Sequence, residues 1–200
     1  MVTLVIATHN KGKVKEFREM LEDCPVEVKS LLDYPQCPEV VEDGNSFEEN
    51  AVKKAETIKE YTGEMVLADD SGLEVDYLEG KPGIYSARFA GEGARDEDNN
   101  KKLLELLKGV PPEKRGAQFT CVIAIAAPGR ETVTVKGVCR GIIVDAPRGE
   151  MGFGYDPLFL VTEHKKTFSE LEPEIKNSIS HRGKAMERAA AVLRELLQRR

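Results

Sequence analysis

No apolar run in the 200-residue sequence approaches the roughly 20 residues that span a bilayer. The longest, 121–127, has the length of a strand. A basic region followed by an apolar stretch is also missing at the N-terminus, which opens at once on a strand pattern. No signal peptide is expected, and the expected compartment is the cytoplasm. There is no C-x-x-C pair: Cys24, Cys37, Cys121 and Cys139 stand far apart, as reduced thiols of a cytosolic protein do. Positive charge is in deficit. At a net −6 the chain is a poor match for a nucleic-acid backbone, so cations for an anionic ligand must be gathered locally. Repeats and low-complexity tracts are absent, and no G-x-x-x-x-G-K-[ST] loop supports a P-loop kinase. What remains, with 40% hydrophobic and 32% charged residues, is an ordinary soluble globule. Its length fits a single domain over residues 1–200, built as one core or as two lobes sharing one.

The centre of the pattern is 66–73, Val-Leu-Ala-Asp-Asp-Ser-Gly-Leu. A short apolar run predicts a strand, and Gly72 predicts a turn at its exit, leaving Asp69, Asp70 and Ser71 at a strand end. Strand alternation sends the two carboxylates to opposite sides, so one is expected to meet a cation and the other to orient it or water. Oxygen ligands suit a hard ion such as Mg²⁺. Upstream, 2–7 reads as a strand buried on both faces. Thr8-His9-Asn10-Lys11-Gly12-Lys13 then leads into a helix with Val14, Phe17, Met20 and Leu21 on one face. Such a loop offers backbone N–H groups and two lysines to an anion, and it reads equally as a helix-capping loop with surface lysines. Ser46 and Glu49 fit a capping box, opening a helix striped by Phe47, Ala51, Ala55 and Ile58. Asn50 and Lys54 stand together beside that stripe. Further on, the sequence predicts a helix over 98–108 and two long strands, 119–127 and 132–144, around Pro128-Gly129. A glycine-aromatic loop at 152–157 precedes a short strand, and a C-terminal helix follows Ser180-His181-Arg182. Mixed strands, helices and a hairpin predict an α/β fold with a mixed sheet.

Acids at Glu42 and Asp69-Asp70, cations at 8–13 and Lys54, aromatics at Phe153 and Tyr155, and donors at Lys176, His181 and Arg182 are the parts of a nucleoside-triphosphate site. In these motifs, and in 47–55, 82–89, 152–157 and 180–182, the chain resembles the inosine triphosphate pyrophosphatase family nearly end to end. The resemblance implies a two-lobed α/β fold, its mixed central sheet flanked by helices and its active site in the cleft, and a homodimer. It implies Mg²⁺-dependent hydrolysis of ITP, dITP and XTP to monophosphate and pyrophosphate, clearing deaminated purines. Carried across, Thr8, His9, Asn10, Lys11, Gly12, Lys13 and Lys54 would hold phosphates. Glu42 and Asp70 would bind the metal, with Asp70 also the proton acceptor beside Asp69, and Ser71 would contact substrate. Phe153, Gly154, Tyr155, Asp156, Lys176, His181 and Arg182 would surround base and sugar. The Ser180-His181-Arg182 element argues against the related Maf-type triphosphatases. A nucleotide-binding regulator without turnover is the reading from another class, and an assay of pyrophosphate release separates the two.

Overall fold

The first apolar run forms β1 (Val2–Ile6), whose Leu4, Val5 and Ile6 are fully enclosed. Their burial on both faces follows from position: β1 has a parallel neighbour on each side, β2 (Val26–Ser30) and β3 (Met65–Val75). In register, Val5 faces Lys29 on one side and Val66 on the other. The computed structural model describes residues 2–198. Within it β4 (Gly116–Ala126), β5 (Val133–Ile143), β6 (Phe159–Val161) and β7 (Lys166–Thr167) complete a seven-stranded sheet of order β2-β1-β3-β4-β5-β6-β7. The β5–β6 and β6–β7 pairs are antiparallel, so the sheet is mixed, as expected.

Five α-helices accompany it among the described residues: α1 (Lys11–Met20), α2 (Phe47–Thr62), α3 (Asp96–Leu106), α4 (Pro173–Ile179) and α5 (His181–Gln198). The chain groups into two compact units. The first takes the described residues up to Asp70, then Cys121–Gly137 and the described residues from Arg182 onward. Its core joins Leu4, Ile6 and Leu67 of the sheet to Phe17 of α1 and to Met186, Ala189 and Leu193 of α5. Ala51, Ala55 and Ile58, the stripe of α2, are also fully buried. The second unit takes Ser71–Thr120 and Val138–His181. Its core is richer in aromatics, with Phe119, Tyr155, Phe159 and Phe168 packed among Leu73, Leu103 and Leu107.

Three local expectations change. Gly72 does not end its strand: β3 runs through it for 11 residues because Leu73 and Val75 continue the buried pattern. Asp69 and Asp70 therefore lie in mid-strand, not at a strand end. Helix α3 begins two residues earlier than predicted, since Asp98 accepts the Arg95 N–H from inside the first turn. At the start of α2, Ser46 caps Glu49 N–H as predicted, but the Glu49 carboxylate reaches the N–H of Asn45 instead of that of Ser46.

Candidate active site

In the first unit, strand alternation gives the two aspartates different company. Asp69, 1% exposed, forms an ion pair with Lys13 at 2.8 Å and another with Arg182 at 3.5 Å. Its carbonyl oxygen accepts from Lys54 Nζ at 2.9 Å. Burial opposes its charge, but Lys13, Arg182 and Lys54 outweigh burial and hold the carboxyl well below the usual range. Asp70 is pushed the other way, up to about 6, by burial first and by the Glu42 charge, against the donor of Asn50 and the two lysines. Asn50 Nδ2 donates to Asp70 Oδ2 at 2.9 Å. Lys54 is ion-paired with Glu42. Burial alone would discharge that ammonium, yet Asp69, Glu42 and Asp70 raise its pKa.

The 8–13 loop caps a helix, the second of the two readings its sequence allowed. Asn10 is the N-cap of α1, its Oδ1 accepting the N–H groups of Gly12 (2.9 Å) and Lys13 (3.1 Å). Thr8 Oγ1 accepts the N–H of Asn10. Three backbone donors counted on for an anion are thus engaged by the loop's own side chains, a usual competition at helix starts. His9 and Lys11 are exposed, while Lys13 points to Asp69. Arg182 is anchored by acids. Its guanidinium, 2% exposed, donates to Glu16 Oε2 at 2.7 Å, meets Asp69 and lies over the Phe17 ring. Two acids anchor this planar five-donor fork and keep it charged against its burial. The sequence reading missed Glu16. Its spacing of three from Lys13 puts both on one side of α1, but nothing local reveals a partner 166 residues away.

The second unit carries its own polar cluster in an aromatic setting. Buried Asp156 accepts from Lys176 Nζ at 2.7 Å and from the N–H of Phe153 at 3.0 Å. A Cβ at Gly152, whose φ is +82°, would lie 2.1 Å from Asp156 Oδ2, so this turn requires glycine. The Lys176 ammonium stands 5.0 Å from the Phe153 ring centroid and 5.6 Å from that of Phe168. His181 stacks on Phe119 with centroids 4.6 Å apart and planes 11° apart. Phe119 and Phe168, which line this cluster, were legible in the sequence only as apolar positions. Gly154 donates to Asp96 and accepts from Asn100. Tyr155 was expected to share an aromatic platform with Phe153. Instead its ring is in the core and its hydroxyl donates to Ser86 O at 2.7 Å, which leaves Phe153 as the half-buried ring of the pair. Ser71 is half-buried on β3.

Fold and charge together define a class: α/β proteins with two buried, oppositely shifted carboxylates beside paired lysines on a mixed sheet. Comparison narrows it. The Ham1 family model matches residues 4–192, and the chain belongs to that family. It is 58% identical over 193 residues to the dITP/XTP pyrophosphatase of Desulforamulus reducens, covering 96% of each chain. The Bacillus subtilis dITP/XTP pyrophosphatase is 50% identical over 193 residues, 96% of this chain and 98% of that one. Among solved structures, a HAM1 protein from Coxiella burnetii superposes with a TM-score of 0.87 at 40% identity, over 98% of this chain and 100% of the other.

Proposed function

We propose that this protein hydrolyses deaminated purine nucleoside triphosphates, dITP, XTP and ITP, between the α and β phosphorus atoms, releasing a monophosphate and pyrophosphate. The observation that carries the reading is Asp70: a buried carboxyl raised to about 6, oriented by Asn50 and set beside Glu42 and Lys54. A base that titrates near neutrality is suited to taking a proton from attacking water, a contribution of typically about 10²–10⁴-fold. Full-length relatives that act as dITP/XTP pyrophosphatases supply the substrate class.

The donor set fits a hard divalent ion. Glu42 and Asp70 repel each other through space, and among the described residues no group of three His, Cys, Asp or Glu converges. Two carboxylates with water and substrate phosphates filling the other positions is how Mg²⁺ is usually held. Bound there, Mg²⁺ would neutralise phosphate charge and make water more acidic. Lys13 and Lys54 would stabilise charge developing on the pyrophosphate, with Asp69 fixing both. The cluster of Phe153, Asp156, Lys176 and His181 is assigned to base and sugar, and Arg182, anchored by Glu16 and Asp69, to the purine 6-oxygen. A homodimer in the cytoplasm is the expected working form. The test is product analysis with dITP and XTP: pyrophosphate and monophosphate are expected, whereas orthophosphate and a diphosphate as first products would overturn the reading.

A further inference from the structure

We infer that Asn50 is a positioning residue that fixes the Glu42 loop relative to Asp70, and so sets the geometry of the divalent-ion site. The inference rests on the reading of Glu42 and Asp70 as ion ligands. Asn50 sits in the first turns of α2, 1% exposed, and both ends of its amide are used. Oδ1 accepts the N–H of Gly44 at 2.8 Å, and Nδ2 donates to Asp70 Oδ2 at 2.9 Å. Only the amide oxygen can accept from an N–H and only the NH₂ can donate to a carboxylate, so one orientation satisfies both bonds. Gly44 is two residues beyond Glu42, in a stretch, 37–44, without helix or strand to hold it. The loop lies close against α2 here: a Cβ on Gly44 would come within 2.7 Å of Asn50 Oδ1 and 2.9 Å of Glu49 Cβ. The amide thus spans two elements that carry one carboxylate each. Its neutrality matters too. A lysine here would cancel the Asp70 charge and an aspartate would repel it, whereas an amide orients the carboxylate and leaves its charge for a cation.

The test combines direct ion binding with kinetics. Mn²⁺ binding to the nucleotide-free protein is followed by water-proton relaxation, and pyrophosphate release is followed against Mg²⁺ concentration, for wild type, Asn50→Leu, Asn50→Asp and Gly44→Ala. Loss of outer partners of metal ligands typically costs about 10–100-fold in ion affinity. A shift of that size is expected in both readouts for all three variants, with KM for nucleotide at saturating Mg²⁺ within about threefold of wild type. Gly44→Ala leaves the buried amide in place and decides the matter if Asn50→Leu does not fold, as judged by thermal melting. Wild-type Mn²⁺ affinity in folded Asn50→Leu, or in Gly44→Ala, would overturn the inference while leaving the pyrophosphatase reading intact. A wild-type protein that binds no Mn²⁺ and releases pyrophosphate without any divalent ion would remove the ion site and the inference together.

Discussion

Asp69 and Asp70 are neighbours in sequence with opposite electrostatic fates. Asp69 is ionised and supported by three cations, so its folded-state pKa lies below the ordinary 3.8 and its contribution to stability is present above that value. Asp70, raised to about 6, contributes stability below pH 3.8 that is lost as pH rises through 6. Asp70→Asn should lower kcat by at least about 10²-fold, because the proposed base and ion ligand vanish together. The same variant, free of metal at pH 7, should melt higher than wild type, by about 1–3 kcal/mol of stability, and the gap should close as pH falls from 6 to 4. Asp69→Asn should melt lower than wild type at pH 7, since it strands Lys13 and Arg182 beside a neutral group. Melting curves of the metal-free proteins from pH 4 to 8 check both, and a lower melting point for Asp70→Asn at pH 7 would refute the assignment. At Arg182 the expected effect is on choice of base. The guanidinium has donors only, matching a 6-oxygen but not the 6-amino group of adenine. Arg182→Ala should reduce kcat/KM for ITP far more than for ATP; an equal fractional loss would place Arg182 on phosphate.

At the scale of elements, two helix starts organise the first unit's charges. Helix α1 begins on the Asn10 cap and immediately projects Lys13 and Glu16 to Asp69 and Arg182, while Phe17 on the same helix is fully buried. Helix α2 begins on the Ser46 cap and carries Asn50 and Lys54 on successive turns to Asp70 and to the Asp69 carbonyl. The apolar stripe of each helix therefore holds its polar residues in place. Ser46→Ala should cost about 1 kcal/mol of unfolding free energy, measured as a shift of the denaturation midpoint at unchanged m-value. A loss under a few tenths would show that the Glu49–Asn45 bond carries the cap alone. In the second unit the turn at Gly152 plays the corresponding part, because only a residue without Cβ leaves Asp156 room to accept both Phe153 N–H and Lys176.

For the molecule as a whole, the net charge of −6 conceals a local arrangement of opposite sense, with Lys13, Lys54 and Arg182 brought to one pair of aspartates. The proposed divalent ion would bind only the folded arrangement of Glu42 and Asp70, so it should stabilise the protein by mass action. At 100 times its dissociation constant, Mg²⁺ should add about 2.7 kcal/mol. Chelation should abolish turnover and lower the melting temperature, and readdition should restore both. The stabilisation should be absent in Asp70→Asn. If Mg²⁺ raised the melting point of that variant as much as wild type, the ion would be binding elsewhere.

Much of this could be read directly from the chain. Apolar runs placed β1 and β3, helical stripes placed α1, α2 and α5, and the order of the 8–13, 47–55, 68–73 and 180–182 motifs pointed to the Ham1 chemistry, because these features depend on near neighbours and on spacing along one element. Tertiary structure decided the rest. That β3 passes through Gly72, that Tyr155 is core, and that Arg182 lies between Glu16 and Asp69 all depend on distant partners. The same holds for the pKa values. Asp69 and Asp70 are the same residue type in adjacent positions, and only the cations packed against one, and the carboxylate and amide facing the other, separate their protonation.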